Sequence, residues 1–206
     1  MAKIDTKTMK TMISAGILPL PWFIIWVTIG GMFMPGYSWI SQHASEMTLV
    51  PGTANILLKI GALGTGVFFI LFALGLWRYS DRKISWGAIC WIVFGFSMVS
   101  NGIWNMGDPK HGFYAIGILN IVAPALSLAE NRKLADDRIV YLTTIAVSFS
   151  AILYLWLNVT GNDPEGYRGI SQRLFSSINS LWPMVVAWRV IANDPMQIRA
   201  DKNRRA

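Results

Sequence analysis

Polar and charged residues in this chain are grouped between six apolar stretches. The stretches cover residues 13–34, 54–77, 84–104, 113–128, 139–158 and 171–192. Each is close to the roughly 20 apolar residues that a helix needs to cross a hydrocarbon core of about 30 Å. The two-residue alternation of membrane barrel strands is absent, and a helix satisfies its own backbone hydrogen bonds in lipid. The pattern therefore predicts an all-α, polytopic membrane protein with a bundle of six transmembrane helices.

The composition excludes an ordinary soluble domain. Of the 206 residues, 53% are hydrophobic and only 14% are charged, whereas a soluble domain carries about 25% charged residues. The mean hydropathy is +0.43. A formal net charge of +7 would suggest nucleic acid for a soluble protein. Here the positions of the charges indicate membrane orientation instead, so we expect no nucleic-acid partner. Cys90 is the only cysteine, which excludes an internal disulfide.

The basic residues predict the orientation of the bundle. On the side of the first long loop, residues 35–53, stand only four of the 18 Lys and Arg residues: Lys59, Lys110, Arg168 and Arg173. Because cytoplasmic loops of membrane proteins are rich in Lys and Arg, we expect both termini in the cytoplasm. The chain then divides into a cytoplasmic N-terminal segment, residues 1–12, a six-helix transmembrane domain, residues 13–192, and a basic cytoplasmic tail, residues 193–206.

Both histidines fall on the outward side, each three residues from a carboxylate. His43 precedes Glu46, and Asp108 precedes His111. If these short stretches are helical, the members of each pair share a face. Imidazole and carboxylate groups are also metal ligands, so these four residues are the candidates for a metal site. The spacing is equally typical of polar loops near water, and the sequence requires no metal and no other cofactor.

Polar side chains continue from the outward loops into the spans. Two spans carry polar stripes at helical spacing: Ser97, Asn101 and Asn105 in the third, and Gln172, Ser176 and Asn179 in the sixth. Ionised groups near lipid, such as Lys59 and Arg173, need water or a partner. These features predict a polar cleft that opens outward, although Ser and Asn side chains also hold helices together by hydrogen bonds. The residues expected to bind a ligand are Ser41, Glu46, Lys59, Asn101, Gln172 and Arg173.

Three functions are compatible with such a cleft. The first is binding of a lipid headgroup or a small amphiphile, with Lys59 and Arg173 holding negative charge. The second is a lipid hydrolase or transferase, in which His43 or His111 is the general base and Asp108 orients it or helps to hold a metal-bound water. The third is a transporter or a structural partner subunit. We expect membrane lipid and a small amphiphilic ligand as partners, while the sequence leaves the oligomeric state open.

Three short motifs stand at the outward ends of the spans: Tyr37-Ser38-Trp39-Ile40-Ser41 before Glu46, Gly107-Asp108 before His111, and Gly169 before Gln172-Arg173. These motifs resemble those of the DUF998 family of integral membrane proteins, and the resemblance covers the chain from the first span to the sixth. It implies a compact bundle of about six spans with a polar site at the outer leaflet. It implies no activity, because the family is uncharacterised. Together with a first span that lacks a cleavage site after its Lys-rich start, it implies a multi-pass protein of a bacterial plasma membrane.

Overall fold

Every element that the structure describes is helical. The computed structural model describes residues 5–113 and 117–192, and these residues contain no β-strand. The predicted basic tail, residues 193–206, and the start of the predicted N-terminal segment, residues 1–4, lie outside the described residues. The α-helices are α1 (Thr6–Ser14), α2 (Pro19–Met32), α3 (Thr53–Ser80), α4 (Trp86–Ile103), α5 (Ala123–Glu130), α6 (Arg132–Ala135), α7 (Arg138–Val159) and α8 (Arg168–Ala192).

Five helical segments of the described chain are long and apolar enough to cross a membrane. They are Thr6–Met32, in which a 3₁₀ turn joins α1 to α2, and Thr53–Ser80, Trp86–Ile103, Arg138–Val159 and Glu165–Ala192. Large apolar side chains on these helices point away from the bundle: Phe149 is 69% exposed and Ile56 is 59% exposed. Exposed apolar surface of this kind marks contact with a membrane or a partner. The all-α class and the membrane character are therefore confirmed.

The fourth predicted span, residues 113–128, is broken into short pieces where the structure describes it. A 3₁₀ turn covers Ile118–Ile121, and α5 is only eight residues long. Pro124 occupies the first turn of α5, where a residue without an N–H costs no intrahelical hydrogen bond. A new helix therefore begins one residue before this proline. Pro183, by contrast, lies inside the continuous helix α8.

The chain after α4 folds back along that helix. The Ser97 hydroxyl donates a hydrogen bond to the Gly112 carbonyl. The Ser85 hydroxyl, just before α4, donates to the Glu130 carboxylate at 2.7 Å, and α5 packs against α4 between these two points. The described residues between Gly112 and Glu130 therefore run antiparallel to α4 over most of the length of that helix.

The loops gather at two opposite faces of the bundle. The histidine face consists of residues 33–52, 104–112 and 160–167, and the basic face consists of residues 81–85 and 131–137. The loops of the histidine face are tied to one another, since the Met106 N–H donates to the Thr48 hydroxyl at 2.7 Å. The start of α8 joins them, because the Ile170 N–H donates to the Ile40 carbonyl at 3.0 Å.

The start of α1 and the end of α8 both lie toward the basic face. Ile13 of α1 packs against α3 beside Gly75, close to the point where α3 ends. Arg189 of α8 forms an ion pair with Asp137 of the basic face, with 2.6 Å between Nε and Oδ2. The two ends of the described chain are therefore on the same side of the bundle.

Aromatic side chains fill the centre of the bundle. Trp91 of α4 is 1% exposed and stacks on both Phe69 of α3 and Trp182 of α8, with ring centroids 5.5 Å apart in each pair. The Trp182 indole N–H donates to the Thr144 hydroxyl of α7 at 2.8 Å, which satisfies both buried polar groups. At Gly66, α3 approaches the α4 backbone so closely that a Cβ would lie 2.5 Å from a carbonyl oxygen. Small residues and flat rings thus bring α3, α4 and α8 together.

Candidate functional site

A cavity of about 760 Å³ lies inside the helix bundle. Its wall is formed by α2, α3, α4, α7, α8, the 3₁₀ turn Ile118–Ile121 and two loops of the histidine face. Toward the middle of the bundle the wall is aromatic, with Phe69, Trp91 and Phe94. Small-molecule pockets have volumes of roughly 300–1,000 Å³, so the cavity has the size of a ligand site.

The polar part of the wall lies mainly toward the histidine face. Five of the predicted site residues belong to the wall: His43, Asn101, His111, Gln172 and Arg173. Further polar residues of the wall are Ser45, Ser97, Asn120, Asn158, Ser176 and Asn179. The two polar stripes therefore face a common space, except for Asn105, which lies beyond the end of α4 and outside the described wall. The ligand-binding and catalytic roles assigned to these residues stay predictions.

Arg173 is held in a cage of aromatic rings and carbonyl oxygens at the start of α8. Its Nη1 donates to the carbonyls of Trp39, Gln42 and Gly169 at 3.0, 3.1 and 2.7 Å, and its Nη2 donates to the Tyr37 hydroxyl. The guanidinium also lies 5.2 Å from the centroid of the Trp39 ring and 5.7 Å from that of Tyr37, within cation–π range. These contacts join α8 to the first loop of the histidine face.

The Tyr37 phenol is neutral beside this cation. Burial raises the pKa of Tyr37 and outweighs the opposing effects of the Arg173 charge and hydrogen bond. The hydroxyl lies 3.2 Å from the His43 carbonyl oxygen, to which only a protonated phenol can donate. Tyr37 therefore orients Arg173 without neutralising it.

The carboxylate nearest to the His43 ring is Asp163. The His43 Nε2 atom lies 3.9 Å from Asp163 Oδ2, and the two side chains are 21% and 8% exposed. This distance is too long for a hydrogen bond. Glu46, the partner expected from sequence spacing, accepts from the His43 backbone N–H at 2.8 Å and from the Gln42 side chain at 3.1 Å. Glu46 thus shapes the loop, while the His43 ring is directed to the 160–167 loop.

His111 is buried by a loop that folds back on the end of α4. Its Nδ1 atom lies 2.8 Å from the Trp104 carbonyl oxygen. Because a carbonyl oxygen only accepts, Nδ1 carries the proton. Gly112 reverses the chain with φ of 73°, a conformation that favours glycine, and the Ser100 hydroxyl donates to the Lys110 carbonyl. The His111 ring is 2% exposed and is held in a defined orientation at the cavity wall.

Three other predicted residues lie elsewhere at this end of the bundle. The Asp108 carboxylate is exposed and accepts a hydrogen bond at 2.8 Å from the backbone N–H two residues later. The Lys59 ammonium donates to the Ile103 carbonyl at 3.3 Å, and Ser41 lies in a hydrogen-bonded turn of the first loop. Neither these three residues nor Glu46 belongs to the cavity wall that the described residues form.

The four metal candidates do not form a ligand set. Within residues 5–113 and 117–192, no group of three or more His, Cys, Asp or Glu side chains is arranged to hold a metal ion. His43 and His111 share the cavity wall, whereas Glu46 and Asp108 accept from backbone N–H groups outside it. The geometry thus supplies no set of ligands for the metal-bound water of the second function.

Several buried polar atoms of the wall have no hydrogen-bond partner among the described residues. They are His43 Nε2, Trp91 Nε1, Arg173 Nε and Asn179 Oδ1. Leaving a buried polar group unpaired costs about 1–3 kcal/mol, and native structures contain few such groups. Four further atoms of this kind lie outside the wall, on Asn131, Ser148, Ser150 and Asp163. The four on wall residues are the ones to which a polar ligand in the cavity could offer partners.

A comparison with protein families identifies the family of this chain. A family model described as protein of unknown function (DUF998) matches residues 17–189, which include all the predicted site residues. This chain belongs to the DUF998 family. No curated protein and no solved structure matches it. Membership of DUF998 confirms the resemblance of the three motifs, and it assigns no activity.

The DUF998 motifs contain more of the site than their sequence alone indicates. Tyr37 and Trp39 belong to the first motif, and Arg173 belongs to the third, yet their contact appears only in the fold. The sequence did offer a signal for this contact, because one motif is aromatic and another contains an arginine, and arginine packs on aromatic rings. For Asp163 beside His43 there was no signal, because no spacing rule links residues on two separate loops.

Proposed function

We propose that this DUF998 protein binds a membrane amphiphile in the cavity. The polar headgroup lies at the histidine face and the apolar chain lies against the aromatic wall. One observation carries the proposal: the cavity joins a polar end at His43, Gln172 and Arg173 to an apolar interior at Phe69 and Phe94. An amphiphile matches such a site, because each of its ends is then placed in surroundings of its own polarity.

We further propose that the chain crosses the membrane six times, with both termini in the cytoplasm. The fourth crossing is the broken segment from Gly112 to Glu130, and its antiparallel course along α4 supports this. A break in an α-helix at membrane depth is tolerated where the backbone lines a cavity, as it does at Ile118, Asn120 and Ile121. The basic face then lies inside by the positive-inside rule, and the histidine face lies outside a bacterial plasma membrane.

We propose that the ligand enters through the wall between α2 and the 3₁₀ turn Ile118–Ile121. Ile24 and Ile118 line the cavity and are also 46% and 40% exposed on the bundle. An apolar chain can pass between such residues from the lipid without crossing water. The ligand would then enter sideways from the membrane rather than through the loops.

Filling the cavity tests the proposal. Ala151 on α7 is 4% exposed and lines the cavity, so Ala151→Phe puts a ring where the ligand is expected. Lipids that copurify with the protein in a mild neutral detergent are extracted and measured by mass spectrometry. We expect wild type to carry an amphiphile and Ala151→Phe to carry at least roughly tenfold less, since about 1.4 kcal/mol of lost binding free energy is tenfold in affinity.

The matched control is Ala146→Phe. Ala146 lies on the same helix but on its exposed side, so the added ring contacts lipid and leaves the cavity open. This variant should copurify with as much amphiphile as wild type, and both variants should elute as monodisperse protein. A wild-type protein that carries no amphiphile, or an Ala151→Phe protein that keeps the wild-type amount, contradicts the proposal.

A lipid hydrolase or transferase is a second candidate, favoured by one observation. His43 and His111 line the same cavity, and Asp163 lies 3.9 Å from the His43 ring, so either histidine is placed to act as general base on a bound lipid. Asp108, the expected catalytic carboxylate, is not in the described wall. Loss of lipid turnover in both His43→Gln and His111→Gln, with ligand binding retained, would support this candidate.

A further inference from the structure

We infer that the headgroup bound in this cavity is anionic and that Arg173 is its counterion. This inference rests on the proposed amphiphile binding and names the chemical class of the ligand. The shared chemistry is a phosphate or carboxylate group joined to an apolar chain.

The charged side chains of the wall have one sign. Among the described residues that line the cavity, the groups able to carry positive charge are His43, His111 and Arg173, and no Asp or Glu is present. Arginine stays protonated at every physiological pH. The carboxylate nearest to the His43 ring is that of Asp163, which lies 3.9 Å away and outside the described wall. A cationic headgroup would therefore meet like charge with no carboxylate in the wall to receive it, whereas an anionic headgroup would meet a permanent cation.

Among the described residues, Arg173 has no carboxylate partner, whereas Arg168 and Arg189 each have one. Arg189 lies 2.6 Å from Asp137, and Arg168 lies 3.7 Å from Glu165. No carboxylate of a described residue lies within ion-pairing distance of the Arg173 guanidinium. A partly buried charge that has only neutral partners is incompletely compensated, so an anion beside it is favoured.

The surroundings of Arg173 do not remove this charge. The Tyr37 phenol is neutral, and the remaining partners are carbonyl oxygens. Glu46 on the same loop is engaged by the Gln42 side chain and a backbone N–H. The amino end of α8, which begins at Arg168, adds a positive field of its own.

Arg173 also retains an unused donor. Its Nε atom is buried and has no hydrogen-bond partner among the described residues, although the side chain lines the cavity. Guanidinium groups bind phosphate and carboxylate oxygens through short, charge-assisted hydrogen bonds. A ligand anion beside the guanidinium would provide the missing charge, and a small rotation of the Arg173 side chain would let the anion accept from Nε as well.

The test compares headgroups on a single apolar chain of matched length, an acyl chain in three probes and an alkyl chain in the cationic one. Binding of lysophosphatidylglycerol (anionic), lysophosphatidylcholine (zwitterionic), monopalmitoylglycerol (neutral) and hexadecyltrimethylammonium (cationic) is measured by native mass spectrometry of the full chain. We expect lysophosphatidylglycerol to bind roughly tenfold or more tightly than the zwitterionic and neutral probes, and the cation to bind weakest. Inorganic phosphate should not displace the anionic probe, because it lacks the chain.

A single added charge in the wall provides the matched variants. Ser176 lies one helical turn after Arg173 and lines the cavity. Ser176→Asp should weaken lysophosphatidylglycerol binding roughly ten- to a hundredfold, as expected for like charges about 6 Å apart in a partly buried site. Ser176→Asn has nearly the shape of the Asp variant without its charge, so its effect on that affinity measures the added bulk alone, and the two variants should differ roughly ten- to a hundredfold. For monopalmitoylglycerol, which carries no charge, the two variants should bind with affinities within about threefold of each other. If Ser176→Asp does not fold, Ser177→Asp and Ser177→Asn, in the same wall, take its place.

The possible failures can be told apart. If no probe binds at all, amphiphile binding itself is wrong, and this inference falls with it. Equal affinities for all four headgroups, a preference for the cation, or equal effects of the Asp and Asn variants overturn the anionic headgroup alone. Displacement by inorganic phosphate at concentrations similar to those of the probe would overturn the assignment to a lipid and indicate a site for a free anion.

Discussion

A partly buried ion pair joins α7 to α8 at the basic face. The Asp137 carboxylate accepts from the Ile139 and Val140 N–H groups at 3.0 and 3.3 Å and from Arg189 Nε at 2.6 Å. Burial by itself would raise the pKa of Asp137. The hydrogen bonds from Arg189 and the backbone, with the Arg189 charge, outweigh burial and hold the pKa below its usual range. One carboxylate therefore caps a helix and pairs with its neighbour.

We predict that Asp137→Asn lowers the free energy of unfolding by about 1–3 kcal/mol near pH 7, because Asn keeps the helix cap but not the charge. The folded-state pKa of Asp137 is lower than its unfolded value. The contribution of ionised Asp137 to the free energy of unfolding is therefore fully present above the unfolded-state pKa. It is lost as the pH falls through the folded-state pKa. The difference in thermal stability between wild type and variant should be constant from about pH 5 to 7 and shrink below about pH 4.

The control for this prediction is the preceding residue. Asp136 is exposed, and Asp136→Asn should change the free energy of unfolding by no more than about 0.5 kcal/mol. The measurement is thermal unfolding, in detergent, of purified wild type, Asp137→Asn and Asp136→Asn as a function of pH. An Asp137→Asn protein as stable as wild type at pH 7, or a difference that persists unchanged at about pH 3, is incompatible with the ion pair.

Helical spacing accounts for three of the five predicted residues that share the cavity wall. Asn101, Gln172 and Arg173 lie on continuous helices, where the residue interval determines which side chains face the same way. Asp108 lies in a loop, whose course depends on turns that spacing rules do not describe. Lys59 is on a helix, but its long side chain reaches the end of α4 instead, as flexible Lys side chains do near a membrane boundary.

At the scale of elements, length and composition predict the long helices but not the broken segment. Of the described residues in this stretch, Ala123 and Pro124 are buried, and Ile118 and Ile121 line the cavity. Such surroundings favour apolar side chains whether or not the backbone is one helix. Pro124 was the visible signal, since proline costs no intrahelical hydrogen bond only in the first turn of a helix. The hydropathy of a window averages over such a break, so a span was expected where a 3₁₀ turn and a short helix are found.

We predict that the broken segment crosses the membrane, so that the loops before and after it lie on opposite sides. In a Cys90→Ala background, Asp108→Cys and Arg132→Cys place single thiols at exposed positions on either side of the segment. An impermeant maleimide added to intact cells should label the first thiol and not the second. After permeabilisation both thiols should react.

Two further positions calibrate the labelling. Val50→Cys lies in the histidine face and should react in intact cells, and Lys83→Cys lies in the basic face and should react only after permeabilisation. Labelling of Arg132→Cys in intact cells to the extent of Asp108→Cys would mean that the segment between α4 and α7 does not cross. Labelling of Lys83→Cys but not Val50→Cys would instead reverse the whole orientation.

At the scale of the whole molecule, the cavity results from packing that no single stretch of sequence contains. Its wall takes residues from five long helices, a broken segment and two loops, and its volume depends on how closely these elements approach. The polar stripes predict which helix faces turn inward, and the basic residues predict which loops share a face. The aromatic wall is not distinguishable in sequence from ordinary core, because Phe69 and Trp91 serve both.

The most direct test of the account is to locate a bound amphiphile. A photoactivatable fatty-acid probe is cross-linked to the protein in nanodiscs, and the adducts are mapped by peptide mass spectrometry with and without excess unlabelled amphiphile. Occupancy of the cavity predicts adducts at Phe94, Ser97 or Tyr154, which line it, and predicts that the competitor removes them. Adducts confined to the exposed residues Phe149 and Ile152, and unaffected by the competitor, would show that the probe contacts only the lipid-facing surface and would contradict the account.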